Sequence, residues 1–234
     1  MHRINNHDHF YLTEDRKQQP KEYFKFLVQQ AAPILRSRSP RVLDIGCAAG
    51  DFLYYLRSSY PNARITGIDL EPKFTTKASQ SLPGADFFVA DVYSGSNLPA
   101  QKFDAVFMNG VNCYFPQVGP WVRHVVSLTE GSAYIFGAFN PEDLDVRAVV
   151  QRPGDDASIP WSLISQKSIS LLLDRMGLAH RFTPWEMPVA SPRTHEDPLR
   201  SWTVEMKDGR LLVINGMQII NRFAVLQIDV GAGV

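Results

Sequence analysis

One loop of small residues and three aspartates at the ends of apolar runs carry the chemistry legible in this 234-residue chain. The loop, Gly46-Cys47-Ala48-Ala49-Gly50, is entered from the run Arg41–Ile45 (RVLDI), which carries Asp44, and leads into Asp51-Phe52-Leu53. Glycine has no Cβ and tolerates positive φ, so such a loop lets a ligand press against the backbone. A helix starting where the loop ends adds unpaired N–H groups and the positive end of its dipole. Asp44, before the first glycine, sets a carboxylate at the same place. That suits a ligand carrying a cationic amine, not a pyrophosphate. Asp69 closes a second run, Arg64–Leu70 (RITGIDL), and Asp91 follows a third, Asp86–Ala90 (DFFVA). A fourth, Phe103–Met108 (FDAVFM), leads into Asn109-Gly110.

An alternation of strands and helices must position these residues. The 41–45 strand is followed by a helix over 51–59, with Phe52, Leu53 and Leu56 inward, and the 64–70 strand by a weak helix over 73–82. Strands at 86–90 and 103–108, a helix near 121–128 and a strand at 132–139 complete a pattern that predicts a parallel, doubly wound α/β sheet. Ahead of it Pro20 is expected at the first position of a helix. Tyr23, Phe24, Leu27, Ala31, Ile34 and Leu35 form its apolar stripe, and Pro40 ends it. The tail breaks the alternation. A helix over 165–176, capped by Ser165 and ended by Gly177, precedes a strand at 179–185. Segments 201–206 and 210–214 flank Lys207-Asp208-Gly209, a hairpin signal, and a last strand covers 223–230. Residues 141–164 and 186–200 read as excursions over one edge.

The run VLDIGCAAGDFL (42–53) resembles the first motif of class I S-adenosylmethionine-dependent methyltransferases, an acid followed by a relaxed Gly-x-Gly-x-Gly. Ala48 stands where the fullest pattern has its middle glycine. ITGIDL, FFVADV and FDAVFMNG follow in that family's order, and the resemblance spans roughly residues 20–140. It implies a mostly parallel seven-stranded sheet, the class I methyltransferase fold, with antiparallel C-terminal strands and an inserted β-hairpin. The chain then reads as a single domain over 1–234: an N-terminal helical cap (1–40), a cofactor-binding core (41–140), and lid excursions with C-terminal strands (141–234). The resemblance also implies S-adenosyl-L-methionine as cofactor. Asp44, Gly46, Cys47, Ala48 and Gly50 would cradle its methionine part and Asp69 both ribose hydroxyls, since a carboxylate accepts two such bonds. Leu70, Asp91 and Val92 would meet the adenine, and Asn109 would lie beside the methyl group. A nicotinamide dehydrogenase needs Gly-x-Gly-x-x-Gly. Counted from Gly46, its later glycines fall on Ala48 and Asp51, and Asp51 would oppose a pyrophosphate.

Charge and composition narrow the partners. The 24 basic and 24 acidic residues show no run of one sign, unlike a generic phosphate-backbone binder, so nucleic acid is not expected. No segment offers about 20 apolar residues, the first ten residues lack the apolar core of a signal peptide, and Cys47 and Cys113 form no metal-type cluster. A cytoplasmic protein with no membrane partner and no metal is expected. Asn109-Gly110-Val111-Asn112 lacks the Asn/Asp-Pro-Pro-Tyr/Phe run of nucleobase amino methyltransferases of this fold. The expectation is a small-molecule acceptor, methylated on oxygen. Residues 197–210 resemble uncharacterised methyltransferases associated with polysaccharide biosynthesis, which points to a glycan precursor. Asp143 and His195 are the candidate bases, placed with Tyr11 on a lid formed by the N-terminal segment and both excursions. Trp161, Trp185 and Trp202 are candidates to line an acceptor pocket, and His124 is expected to be structural. The alternative is a non-catalytic subunit of methyltransferase fold. The sequence leaves the oligomeric state open.

Overall fold

The computed structural model describes residues 8–13, 17–151, 153–154, 158–193 and 199–231. Three N-terminal helices, α1 (Asp8–Thr13), α2 (Glu22–Gln30) and α3 (Ala32–Leu35), precede β1 (Arg41–Ile45). Then come α4 (Asp51–Ser59), β2 (Arg64–Asp69), α5 (Pro72–Ser81), β3 (Asp86–Val89) and β4 (Phe103–Asn109). A 3-10 turn at Asn112–Tyr114, α6 (Val118–Leu128) and β5 (Thr129–Ala138) follow. The remainder is β6 (Val146–Gln151), β7 (Ser158–Leu163), α7 (Gln166–Arg175), β8 (Ala179–Trp185), β9 (Trp202–Glu205), β10 (Leu211–Ile214) and β11 (Phe223–Asp229).

Seven strands form one sheet in the order β3-β2-β1-β4-β5-β11-β8. The first five run parallel, and β11 is antiparallel to both neighbours. Alternation along each strand divides the core into two layers. Leu43, Val106, Met108, Ile135 and Leu226 face α6 and α7, meeting Trp121, Val125, Ile169 and Leu173. Val42, Ala105, Phe107, Tyr134 and Val225 face the opposite way, onto Phe24 and Leu27 of α2 and Phe52, Leu53 and Leu56 of α4. The period of two that marks these runs as strands also buries both sheet faces. Among the described residues no helix is long and apolar enough to cross a membrane.

Several boundaries differ from the sequence expectation, each for a local reason. Pro20 is not the first helical residue: Lys21, with extended backbone (φ −61°, ψ 144°), is the N-cap, and α2 starts at Glu22. The single helix expected up to Pro40 is broken at Ala31, because Pro33 in the first turn of α3 cannot continue the α2 hydrogen bonds. Its apolar stripe survives, with Phe24, Leu27, Ala31 and Leu35 buried. The excursion 141–164 contains an antiparallel hairpin, β6–β7. Pro160 inside β7 masks it in the sequence, and a two-stranded ribbon tolerates proline because each strand has an unpaired edge. The C-terminal signals hold. The Ser165 hydroxyl accepts from the Ser168 N–H at 3.0 Å, Gly177 has φ +71°, and β9–β10 form the expected hairpin.

The start of the central strands is tied by charge. Arg41 donates through Nη2 to Asp104 Oδ1 (2.8 Å) and through Nε to Oδ2 (3.2 Å), while its backbone N–H reaches Oδ2 at 2.7 Å. A further ion pair joins Arg41 to Glu130 at the start of β5. The Arg41 guanidinium holds the Asp104 carboxyl below the usual carboxylate range. The sign follows from linkage: this stabilisation is complete above the unfolded pKa of about 3.9 and is lost as pH falls below it. Asp104→Ala is expected to cost about 2 kcal/mol at pH 7, since hydrogen bonds to charged groups contribute about 1.5–3 kcal/mol. That is a fall in Tm of roughly 4–8 °C. The deficit should narrow toward pH 3, as thermal melts across pH will show.

Candidate active site

The loop after β1 lies across the carboxyl end of the sheet. The N–H groups of Gly46 and Cys47 both donate to the Ile68 carbonyl, at 2.8 and 3.0 Å, which ties the loop to β2. Gly46 has φ +72°, and a Cβ there would sit 2.4 Å from Val111 Cγ2, so both backbone and space require glycine. Ala48 also takes positive φ, +46°, a conformation that costs a side-chain-bearing residue about 1–2 kcal/mol. Its N–H is held by Asp69 Oδ2 at 2.9 Å. Gly50, φ +84°, is the N-cap of α4.

Three strand ends converge beside this loop. Asp44 is 1% exposed, and Asn109 Nδ2 donates to its Oδ1 at 3.1 Å. Burial first, and the Asp69 charge second, push the Asp44 carboxyl well above the usual carboxylate range. The buried Asn109 Oδ1 has no hydrogen-bond partner among the described residues. Asp69 Oδ1 accepts from the Glu71 N–H at 3.0 Å, so its two oxygens are fixed by backbone donors from the loop and from the turn after β2. Burial, with Asp69 and Asp44 nearby, pushes the Cys47 thiol up, which keeps it protonated and unreactive at neutral pH. Asp91 Oδ1 accepts from the Tyr93 N–H at 2.8 Å and shapes the turn after β3. His124 Nδ1 lies 2.8 Å from the Val92 carbonyl, the structural role expected of it.

One cleft gathers these groups. Asp44, Gly46, Cys47, Ala48, Asp69, Leu70, Asp91, Val92 and Asn109 all line it. Gly50 alone of the expected cofactor residues does not, and acts as the cap behind the loop. Ile68, Phe74 and Phe115 add apolar wall, and Tyr11 reaches the cleft from α1. The Tyr11 ring meets Phe74 edge-on at 5.9 Å, and Lys77 Nζ bonds to the Leu12 carbonyl, which docks α1 on α5.

Residues 43–132 match the family model of a methyltransferase domain. That match covers the core that lines the cleft, and the seven-stranded sheet has the class I methyltransferase fold. Over 116 residues the chain is 33% identical to trans-aconitate 2-methyltransferase of Escherichia coli, covering 47% of this chain and 45% of that protein. The chain thus spans less than half the length of that curated relative. A sugar N-methyltransferase from Streptoalloteichus has the same fold at 16% identity, with a TM-score of 0.59 over 96% of this chain and 93% of that one. Magnesium protoporphyrin IX methyltransferase from Synechocystis, solved with bound S-adenosylmethionine, gives 0.56 at 14% identity, over 98% of this chain and 86% of that one.

The candidate bases fare differently from the cofactor residues. Asp143 is exposed, ion-paired with Lys167, and does not line the methyltransferase cleft. His195 lies outside the described residues. The β6–β7 excursion touches the cleft wall: Trp161, 8% exposed, meets Tyr114 edge-on at 5.7 Å, and Tyr114 is a cleft residue. Tyr114, at the end of the 109–114 stretch expected around the pocket, does line the cleft, whereas Lys21 and Tyr23 are cleft residues that the sequence did not reveal. Tyr23 sits at helical spacing in a core stripe, and its ring does stack on Phe136 at 4.2 Å, so only the fold reveals its second contact. Lys21, just before the stripe, carries no signal of its own.

Asp44 yields a prediction with opposite signs for stability and binding. Its raised folded pKa means that stability falls as pH rises above the unfolded value, about 3.9, and levels off beyond the folded one. Asp44→Asn removes that cost and keeps the Asn109 hydrogen bond. The ligand-free variant is expected to gain about 1–3 kcal/mol at pH 7, the scale of an uncompensated buried polar group, and to match the wild type near pH 4. Urea unfolding at the two pH values measures this.

Proposed function

We propose that this chain transfers the methyl group of S-adenosyl-L-methionine to an oxygen atom of a small-molecule acceptor. The observation that carries the reading is the buried Asp44 carboxyl, beside Asp69 and an unpartnered amide oxygen of Asn109. These acceptors suit a ligand with an ammonium and a sulfonium centre. A fold kept only as a partner subunit has no use for a buried carboxyl that lowers stability. When bound, the donor supplies an electrophilic methyl carbon on a positively charged sulfur.

The chain's residues bind and orient the two reactants. Asp44 and Asn109 hold the amino-acid end against the Gly46–Gly50 loop. Asp69 takes the ribose diol, with Leu70 and Val92 along the adenine and Asp91 at its amino edge. The aromatic residues Tyr11, Tyr23, Tyr114 and Phe115 exclude water where transfer occurs, and positioning in a dry site is most of what this chemistry requires. The relative named for trans-aconitate supports a small organic acceptor. A glycan precursor is the second reading. Residues 197–210 favour it by resemblance, and Trp185 and Trp202, flat faces on which a sugar can stack, favour it by position.

Calorimetry with S-adenosylhomocysteine tests the reading. Binding is expected, with about 2.7 kcal/mol of stabilisation at 100 times the dissociation constant. Asp69→Ala should weaken it at least tenfold, about 1.4 kcal/mol. Absence of heat and of any thermal shift at millimolar ligand would overturn the assignment.

A further inference from the structure

A second pocket adjoins the cleft and shares Lys21 and Tyr23 with it. One wall is the stretch 18–25, and the other is formed by residues 187–193 and 200–202 with Trp185. β8 and β5 flank the antiparallel β11, so β8 runs parallel to β5 and ends, at Trp185, on the same edge of the sheet as the cleft. Acceptors in open α/β sheets lie outside the carboxyl ends of the strands.

The charges of this pocket stand out in a chain with no net charge. Among the described lining residues, Lys21, Lys25, Arg193 and Arg200 oppose a single carboxylate, Glu22, which is bonded to Lys25 at 2.7 Å. Rings hold the guanidinium groups: Arg193 lies over Trp202 at 4.7 Å from the centroid, and Arg200 over Phe10 at 4.6 Å. Trp185 is fixed edge-on against Phe136 and Phe223, at 5.3 and 6.1 Å. Positioned cations beside rigid aromatic faces recognise an organic anion, and arginine pairs with carboxylates in bidentate geometry.

We infer that this second pocket is the acceptor site and that its acceptor is a carboxylate-bearing organic molecule, methylated on a carboxylate oxygen. The inference rests on the methyl-transfer reading above. Lys21 and Tyr23, on the shared wall, position the reacting carboxylate toward the cleft. The carboxylate oxygen supplies the electron pair for the new C–O bond as the methyl–sulfur bond breaks, and the bonding pair stays on sulfur. A neutral ester and a neutral thioether result. No proton moves, because a carboxylate is already ionised at neutral pH. That accounts for a cleft from which Asp143 is absent.

The test uses the full chain and methyl-tritiated donor, with one pool of organic acids and a matched pool of alcohols, phenols, amides and neutral sugars. Label should enter the acid pool and leave as methanol in mild base. Arg193→Gln and Lys25→Gln, outside the donor cleft, should each raise KM for the methylated acid at least fivefold, about 1 kcal/mol. Their kcat and S-adenosylhomocysteine affinity should stay within twofold, which also certifies folding. Label confined to the neutral pool overturns the inference, as does label in neither pool or an unchanged KM in both variants. If the wild type binds no S-adenosylhomocysteine, it is the methyl-transfer reading that fails.

Discussion

A carboxyl group taken out of water next to a second carboxylate is the constraint around which this structure is organised. Asp44 sits on β1, between β2 and β4, and the parallel registers decide its company. Ile45 is level with Ile68 on β2 and Met108 on β4, so Asp69 and Asn109, one residue further on, arrive together beside the glycine loop. The strand order reverses between β1 and β4, and at such a switch point the neighbouring crossovers diverge and leave a crevice. The acid is thus buried because the sheet is doubly wound, and it stays costly until a cationic ligand neutralises it.

The two ends of the sheet treat charge in opposite ways. At the amino end Arg41 satisfies Asp104 and joins Glu130, so charges are matched within the protein. At the carboxyl end Asp44 lies near Asp69 and takes a side-chain hydrogen bond from Asn109, while Asp69 is held by the backbone N–H groups of Ala48 and Glu71. Ala48, in left-handed backbone, adds strain to the same loop. Strain at Ala48 and the buried Asp44 carboxyl both collect at the cleft, and the ion-paired end supplies the rigidity that holds them there.

The N-terminal segment links donor and acceptor. α1 docks on α5 through Tyr11 and Phe74, and Arg200 over Phe10 joins the same segment to the C-terminal excursion. Lys21 and Tyr23 then form a wall common to the cleft and the second pocket. Tyr23 serves two masters, stacking on the core with one contact and bordering both pockets with others. A change at this residue would be felt by the sheet and by both ligands.

The sequence by itself determined the strand and helix alternation, the loop, and the acids that end three strands. Those features are local: period-two runs such as FDAVFM declare a strand, and Gly46 declares a turn into which a Cβ would not fit. It also placed the Ser165 cap and the Gly209 hairpin, which depend on the backbone within a few residues. The hairpin hidden by Pro160 was illegible because a proline's tolerance depends on whether the strand edge is paired. Asp143 looked like a base in a loop near the pocket, and only folding brings Lys167 to it and turns it toward solvent. What tertiary structure alone decided is proximity. Asp44, Asp69 and Asn109 lie on three different strands, Lys21 precedes the first of these by two helices, and Arg200 meets Phe10 from the far end of the chain. Which of these groups meet depends on strand order and crossover direction, and these are set by the packing of both sheet faces and not by any single segment.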